Sequence, residues 1–417
     1  MENRLRPATS RRKYLYSAVR VAAFVAFGTV ALWTLVRLIA TSLERQVIWT
    51  DFALFHATVN RWLDGQPMYA SGLRMFGAPR FTESVNFNPP QFHLLVLPLA
   101  RVDLWPALLM WQLASLVAGC VSAAIVIRTL RPGWSPLVIC VTAALILNSA
   151  ALSSTLWFGQ MSLFLSVPVT LAWRALRQGR WNAVGAWLGL AGSIKPLLFI
   201  VVPYLLLKRQ WKACLWCGAT WAASFAIGVA VFGPAAVQQW LDAGRWPTWL
   251  DNFHNASFQA YVARLWWEWP GPQVATLGSA IGVAATVWLA RNRDADAAWA
   301  ILMAGALLWA PLGWVYYEWF LFPPLAALLA QGRIPYAVWP LAIAFVWPIT
   351  GRDARITGTF LDGQIQSIYF WGLLGVLLTL CSSTIRPPAD AHRGSDESRA
   401  PEPRAPTPAY LRSYFFM

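Results

Sequence analysis

Apolar runs of about 18 residues or more recur from Tyr14 to Cys381, each long enough to cross about 30 Å of hydrocarbon. No other feature limits the fold so severely, because inside hydrocarbon a segment must satisfy its own backbone amides and so becomes helical. The remaining composition agrees. Only 12% of the residues are charged, whereas a soluble domain carries roughly 25%. The fold class is therefore an all-α polytopic membrane protein.

Segments are expected at about 15–41, 104–127, 135–152, 160–176, 181–194, 196–207, 213–232, 273–290, 297–312, 314–330, 334–349 and 364–384, a bundle of about 10–12 transmembrane helices. The net charge of +15 raises the question of nucleic acid, but the positions of the basic runs answer it. RLRPATSRRK (4–13), RTLR (128–131), RALRQGR (174–180), KRQWK (208–212), RNR (291–293), Arg333 and the Arg-bearing tail after Ile385 all fall on one side, which the positive-inside rule makes the cytoplasm. The expectation is an N-terminal cytoplasmic tail at 1–14, a transmembrane domain at 15–385 and a disordered cytoplasmic tail at 386–417 rich in Pro, Arg, Ser and acids. Both termini are cytoplasmic, the protein is a multi-pass component of the plasma (inner) membrane, and no nucleic-acid partner is implied.

One stretch resists a simple layout. Only WNAVGAWLGLAGSIKPLLFIVVPYLLL separates the basic runs RALRQGR and KRQWK, yet both runs belong inside. A hairpin of two short segments resolves this, with its apex at Ser193-Ile194-Lys195-Pro196. Pro196 has no N–H and disfavours helix at the residue before it, which supplies the break. Lys195 then lies at membrane depth or near the outer face, where an ionisable group needs a partner or a task.

The outer loops, about 42–103 and 233–272, carry the informative residues. From Asp51 the apolar positions Phe52, Phe55, Val59, Trp62 and Leu63 line one face of a helix that Gly65 and Pro67 end. Such a helix is expected to lie in the interface plane with its stripe in lipid. Asp51, at its start, either caps the helix or serves as a general base on a substrate arriving from water; the two are compatible. Asn86, Phe87 and Asn88 suit a sugar or lipid head, or a plain connecting turn. The five Cys residues lie in or beside apolar spans; Cys214 and Cys217 form a CxxC with no second pair and no nearby His, read as small buried thiols. No phosphate-binding Gly-rich loop and no metal-ligand spacing is present, so no metal and no cofactor is expected.

The motifs in order carry a resemblance. Asp51, Phe52, Phe55, Ala57, Leu63, Gly65 and Tyr69 open it, followed by FNPP (87–90) and LPLA (97–100). FGQMSL (158–163), GAWLGLAGSIKP (185–196), LLLKRQW (205–211), NAS (255–257) and APLGWVYY (310–317) continue it. Together they are similar to glycosyltransferase family 87, bacterial membrane enzymes that include polyprenol-phosphate-mannose-dependent mannosyltransferases. Two departures stand out: Tyr316-Tyr317 replaces a His pair of the family pattern, and Ala256 replaces a Gln.

The resemblance implies a GT-C-type helix bundle and a polyprenyl-phosphate-linked sugar as co-substrate, with a lipid or glycan as acceptor. It implies a hexosyl, chiefly mannosyl, transfer on the outer face by a single inverting displacement. Asp51 would be the base and Lys195 the cation for the leaving phosphate, helped by Arg80, Arg352 or Arg355. Gln160, His254 and Asn255 would hydrogen-bond the sugar or acceptor, or do ordinary turn duty. Trp314, Tyr316 and Tyr317 would stack on a sugar face, and Asp64 and Glu318 are reserve acids. Two alternatives stay open: the same fold using arabinose, glucose or aminoarabinose, and a lipid or solute transporter, which the lack of inverted halves disfavours. The oligomeric state is not legible.

Overall fold

The computed structural model describes residues 50–69, 86–130, 150–243, 251–265, 270–331 and 360–382, with Thr29 and Val36. The expected first span, the 334–349 span, most of 135–152, both tails and Arg80, Arg352 and Arg355 lie outside the described residues. The described elements are helical, with no strand among them.

Helix α1 runs from Asp51 to Leu63, and two 3-10 turns, Pro90–Leu95 and Leu97–Leu99, lead into α2 (Leu104–Leu130). Then follow α3 (Ala150–Phe158), α4 (Ser162–Arg177), α5 (Trp181–Ile194), a 3-10 turn at Pro196–Ile200, α6 (Val201–Leu207) and α7 (Trp211–Phe232). Beyond these lie α8 (Pro234–Ala243), α9 (Phe258–Leu265), α10 (Gly271–Ala290) and α11 (Ala295–Trp309). A 3-10 turn at Val315–Leu321 precedes α12 (Phe322–Ala330), and α13 (Phe360–Gln366) and α14 (Ile368–Ser382) close the described chain. Among the described residues α2, α7 and α10 are long and apolar enough to cross a membrane, and α13 with α14 forms a fourth candidate bent by 63°. Among the described residues, 181–207 is two short helices divided at Pro196, and 314–330 is a 3-10 turn followed by a short helix.

Helix α11 is the centre. Every residue from Asp296 to Leu308 is buried, which fits a helix apolar on all sides. Its start is capped by Asp294, whose carboxylate accepts from the backbone N–H of Asp296 (3.1 Å) and Ala297 (3.0 Å). In contrast, α7 and α10 turn Leu215, Ile227, Leu277 and Ile281 outward, the pattern of lipid-facing surface.

The expected hairpin is present. Gly185 meets the Ala213 backbone, Gly189 meets the Cys217 carbonyl and Thr220, and the Ser193 hydroxyl donates to that of Ser224 at 2.9 Å. Residue numbers rise together in these contacts, so α5 and α7 run parallel, and the Pro196–Leu207 stretch must return between them. Glycines four apart let the backbones approach. Lys195 marks the break, in extended conformation (φ −127°, ψ 95°), at the end of α5.

Helix α1 forms where expected but does not turn its stripe to lipid. Phe52, Phe55 and Val59 enter the main core, with Phe55 edge-on to Phe92 (4.8 Å between centroids) and Phe52 against Trp111 (5.4 Å). Trp62 packs edge-on to Phe232. The 3-10 turns of 90–99 and helix α2 supply an apolar surface within the protein, and burial there replaces burial in lipid.

Candidate active site

The chain brings the end of α5, the start of α1 and the turns after α3 and α11 to one place. The hydroxyl of Thr50, not Asp51, caps α1, accepting from the Ala53 N–H at 3.2 Å. The Asp51 carboxylate is thereby left for another partner. That partner is Gln160, whose side-chain amide donates to Asp51 Oδ2. No described residue bonds the other oxygen.

Gln160 is aimed by the turn before it. Gly159 has φ +64°, and a Cβ there would meet Phe52 Cβ at 2.5 Å, so only glycine fits. The Trp111 indole donates to the Gly159 carbonyl (2.8 Å) and fixes the turn. Burial pushes the Asp51 carboxyl up to about 6, against the hydrogen bond from Gln160 and the positive charge of Lys195, both of which favour the ionised form.

Lys195 Nζ donates to Asn88 Oδ1 at 2.7 Å and lies 5.4 Å from the centre of the Tyr317 ring. It feels the charge of Asp51, but the two make no direct ion pair. Behind Asn88 is a buried polar chain. Asn86 Oδ1 accepts from both the backbone and the side-chain amide of Asn88 (3.0 Å each), Asn86 Nδ2 reaches His93 Nε2 (2.8 Å) and Thr58 Oγ1 (3.0 Å), and the Tyr69 hydroxyl donates to the Asn88 carbonyl (2.6 Å). The FNPP stretch is thus a rigid mount for Lys195. Gln91 ties the same turn to the hairpin apex through the Ser193 carbonyl.

Beside Lys195 opens a largely apolar cavity of about 480 Å³, lined by Ile194, Leu197, Phe199, Trp309, Trp314 and Tyr317 among others. Tyr317 is fully buried, and its hydroxyl has no partner among the described residues. Trp314 stacks with Tyr316 at 5.8 Å. Both tyrosines of the pair lie within the field of Asp51.

The remaining expected site residues are placed differently. Asn255 pairs with Trp314 in an isolated antiparallel bridge, and its amide is spent on backbone: Nδ2 donates to the Pro311 carbonyl (3.0 Å), while Oδ1 accepts from the N–H of Gly313 (2.9 Å) and Ser257 (3.2 Å). It joins two loops and does not face the cavity. His254 stacks against Phe253 and edge-on to Phe158, and burial pushes its imidazole down to about 4, so it is neutral. Asp64 stands 13 residues along α1 from Asp51, roughly 20 Å away, in an exposed pair with Arg101 (2.9 Å). Glu318 is buried, with Oε1 unpartnered among the described residues, and lies within electrostatic reach of Tyr369 and outside the cavity lining. Among the described residues no group of three or more His, Cys, Asp or Glu side chains is placed to hold a metal ion.

Sequence reasoning missed the support of Lys195 by Asn86, His93, Tyr69 and Thr58. The signal available was FNPP itself, two prolines fixing a turn with an amide on either side of Phe87.

A helical membrane protein with a carboxylate and a cation held apart beside an apolar cavity is the class that fold and site define, and its motifs point to a glycosyltransferase. Residues 86–316, more than half of the chain, match the model of glycosyltransferase family 87, and the chain belongs to that family. It is 24% identical over 360 residues to a polyprenol-phosphate-mannose-dependent alpha-(1-2)-phosphatidylinositol mannoside mannosyltransferase of Mycobacterium tuberculosis, covering 76% of this chain and 80% of that one. It is 23% identical over 350 residues to an alpha-(1->3)-arabinofuranosyltransferase of Corynebacterium glutamicum, covering 80% and 81%. No solved structure matches it.

Proposed function

We propose that this glycosyltransferase moves a hexose, specifically mannose, from a polyprenyl phosphate to a lipid or glycan acceptor at the outer face of the plasma membrane. The observation that carries the reading is the placement of Asp51 and Lys195, each bonded to a neutral amide and neither bonded to the other. Two partly buried opposite charges with a purely structural task would be expected to close into a pair, since an open gap leaves both partly desolvated without mutual compensation. A gap spanned by a phosphate-linked sugar uses both.

In this mechanism the acceptor hydroxyl attacks the anomeric carbon. Its proton passes to the free oxygen of Asp51 while Gln160 holds the other. The bond from the anomeric carbon to the phosphate oxygen breaks, the electron pair leaves on that oxygen, and Lys195 offsets the charge. The configuration inverts. The apolar cavity beside Lys195 suits the first isoprene units of the donor, and Trp314 and Tyr317 suit the sugar face.

A second reading changes only the sugar. The arabinofuranosyltransferase is 23% identical to this chain and the mannosyltransferase 24%, and Tyr317, which stands where the family pattern has a His, lines the cavity. Incubating the purified protein with polyprenyl-phosphate mannose, glucose and arabinose, and identifying glycosylated products by mass spectrometry, decides between them. Product from none of these donors would remove the reading altogether.

A further inference from the structure

Two turns of nearly the same design lie side by side at the other end of the hairpin. Gln178-Gly179-Arg180-Trp181-Asn182 connects α4 to α5, and Lys208-Arg209-Gln210-Trp211-Lys212 connects α6 to α7. The cleft between them has a volume of about 750 Å³. Its lining carries Arg180, Arg209 and Lys212, two tryptophans and no acid. The neighbouring basic residues already have partners: Arg177 pairs with Asp296 at 3.2 Å, and Lys208 sits 5.9 Å above the Tyr204 ring. No described residue pairs with Arg180, Arg209 or Lys212.

The backbone adds to this. The residue just past each helix end is left-handed, Gly179 at φ +67° in one turn and Arg209 at φ +55° in the other. Glycine adopts that conformation without cost and arginine does not. The second turn therefore keeps a cation in the cleft at the expense of local strain.

The surroundings decide what kind of anion fits. Trp211 is 61% exposed, and beside it Leu207, Leu215 and Trp216 are 50%, 73% and 52% exposed. Exposed indoles next to cations are the pattern of the headgroup level, and the apolar flank is where acyl chains run. The 14 residues of α5, roughly 20 Å of helix, separate this cleft from Lys195, so it is not part of the site described above.

We propose that this cleft is a second lipid site, in which Arg180, Arg209 and Lys212 hold the phosphate of an anionic phospholipid in the leaflet opposite the Asp51–Lys195 site. Trp181 and Trp211 flank its glycerol region, and the acyl chains lie on the Leu207–Leu215–Trp216 face. The inference does not depend on which sugar the protein transfers, or on whether it transfers one.

The test is native mass spectrometry of the detergent-purified protein titrated with phosphatidylglycerol or with phosphatidylcholine of the same acyl chains. The wild type is expected to retain phosphatidylglycerol and release phosphatidylcholine. Arg209→Gly relieves the backbone while removing one cation, so it folds, and it should lower phosphatidylglycerol occupancy about fivefold. Arg180→Gln, Arg209→Gly and Lys212→Gln together should abolish retention. Equal retention of both lipids, or unchanged phosphatidylglycerol binding in Arg209→Gly, overturns the proposal. So does displacement of phosphatidylglycerol by an equal concentration of inorganic phosphate, which would make the ligand a free anion.

Discussion

Asp51 and Lys195 are 144 positions apart in the chain and face each other across a gap, each tied to a neutral amide on its own side, Gln160 and Asn88. The arrangement makes a sharp demand on Asp51→Asn. Asparagine keeps an oxygen for the Gln160 amide, so the site should stay formed, but it cannot take a proton. Sugar transfer is expected to fall by about 10²–10⁴, the worth of a positioned base. Single-turnover transfer from a polyprenyl-phosphate sugar measures it, and a mutant rate near wild type would remove Asp51 from the mechanism.

The pH dependence follows from burial. A base must be ionised, and burial raises the Asp51 carboxyl to about 6. The kcat/KM of transfer should therefore rise with pH up to about 6 and level off above it. Lys195 favours the ionised carboxylate, so Lys195→Gln should move the acid limb to higher pH as well as lowering the rate. The shift also has a stability sign. The folded state holds this proton more tightly than the unfolded chain, so Asp51 costs stability as pH rises from the ordinary carboxylate range through about 6. At pH 7 Asp51→Asn should melt no lower than wild type. A limb that stays in place in Lys195→Gln would mean that the two charges do not interact.

At the opposite end of the bundle Asp296 is shared by three donors. The Trp173 indole reaches Oδ1 at 2.9 Å, Arg177 lies 3.2 Å from the same oxygen, and Gln331 donates to Oδ2 at 2.7 Å. These bonds join α4, α11 and the end of α12. Asp296→Ala leaves an indole and an amide unsatisfied and a half-buried guanidinium unpaired. A loss of about 2–3 kcal/mol is expected, discounted for the part of Arg177 that water reaches. Thermal unfolding in detergent measures it, and transfer per folded molecule should stay unchanged. A fall in that specific rate with no loss of stability would contradict a purely structural role.

What the sequence revealed and what it hid divide along one physical line. The hairpin and its apex were legible because Pro196 breaks helices locally and because two basic runs demanded the same side. Helix α1 was legible from its spacing, but its burial was not: an apolar stripe reads the same whether it meets lipid or Phe92 and Trp111. Thr50 caps the helix although aspartate has the higher capping tendency of the two, so propensity pointed one residue too far along. The Asn88 mount was invisible for another reason, since its bond to Lys195 spans 107 positions and no local pattern encodes it. Asn255 was read as either a sugar contact or a turn residue because an outward amide in a loop looks alike in sequence whether it binds a ligand or a neighbouring turn. Its amide is bonded to the backbone of the 311–313 loop.

That mount yields the most discriminating variant. Asn88 accepts from Lys195, and the Asn86–His93–Tyr69 chain fixes Asn88, so the Lys195 ammonium is held on one side with its remaining protons free. Asn88→Ala removes the acceptor and loosens Lys195, and the KM for the donor should rise roughly tenfold, the worth of one hydrogen bond to a charged group. Asn88→Asp conserves shape but places a carboxylate against the ammonium, which would neutralise the charge offered to the phosphate. Its effect should therefore exceed that of alanine, although its geometry is closer to wild type. Aspartate also loses the bond that the Asn88 amide donates to Asn86 Oδ1. A merely structural Asn88 therefore predicts that the rise in KM tracks the fall in melting temperature in both variants, whereas a role in presenting Lys195 predicts a KM effect beyond it. Donor KM and melting temperature measured for the two variants at one pH, above the acid limb, decide which holds.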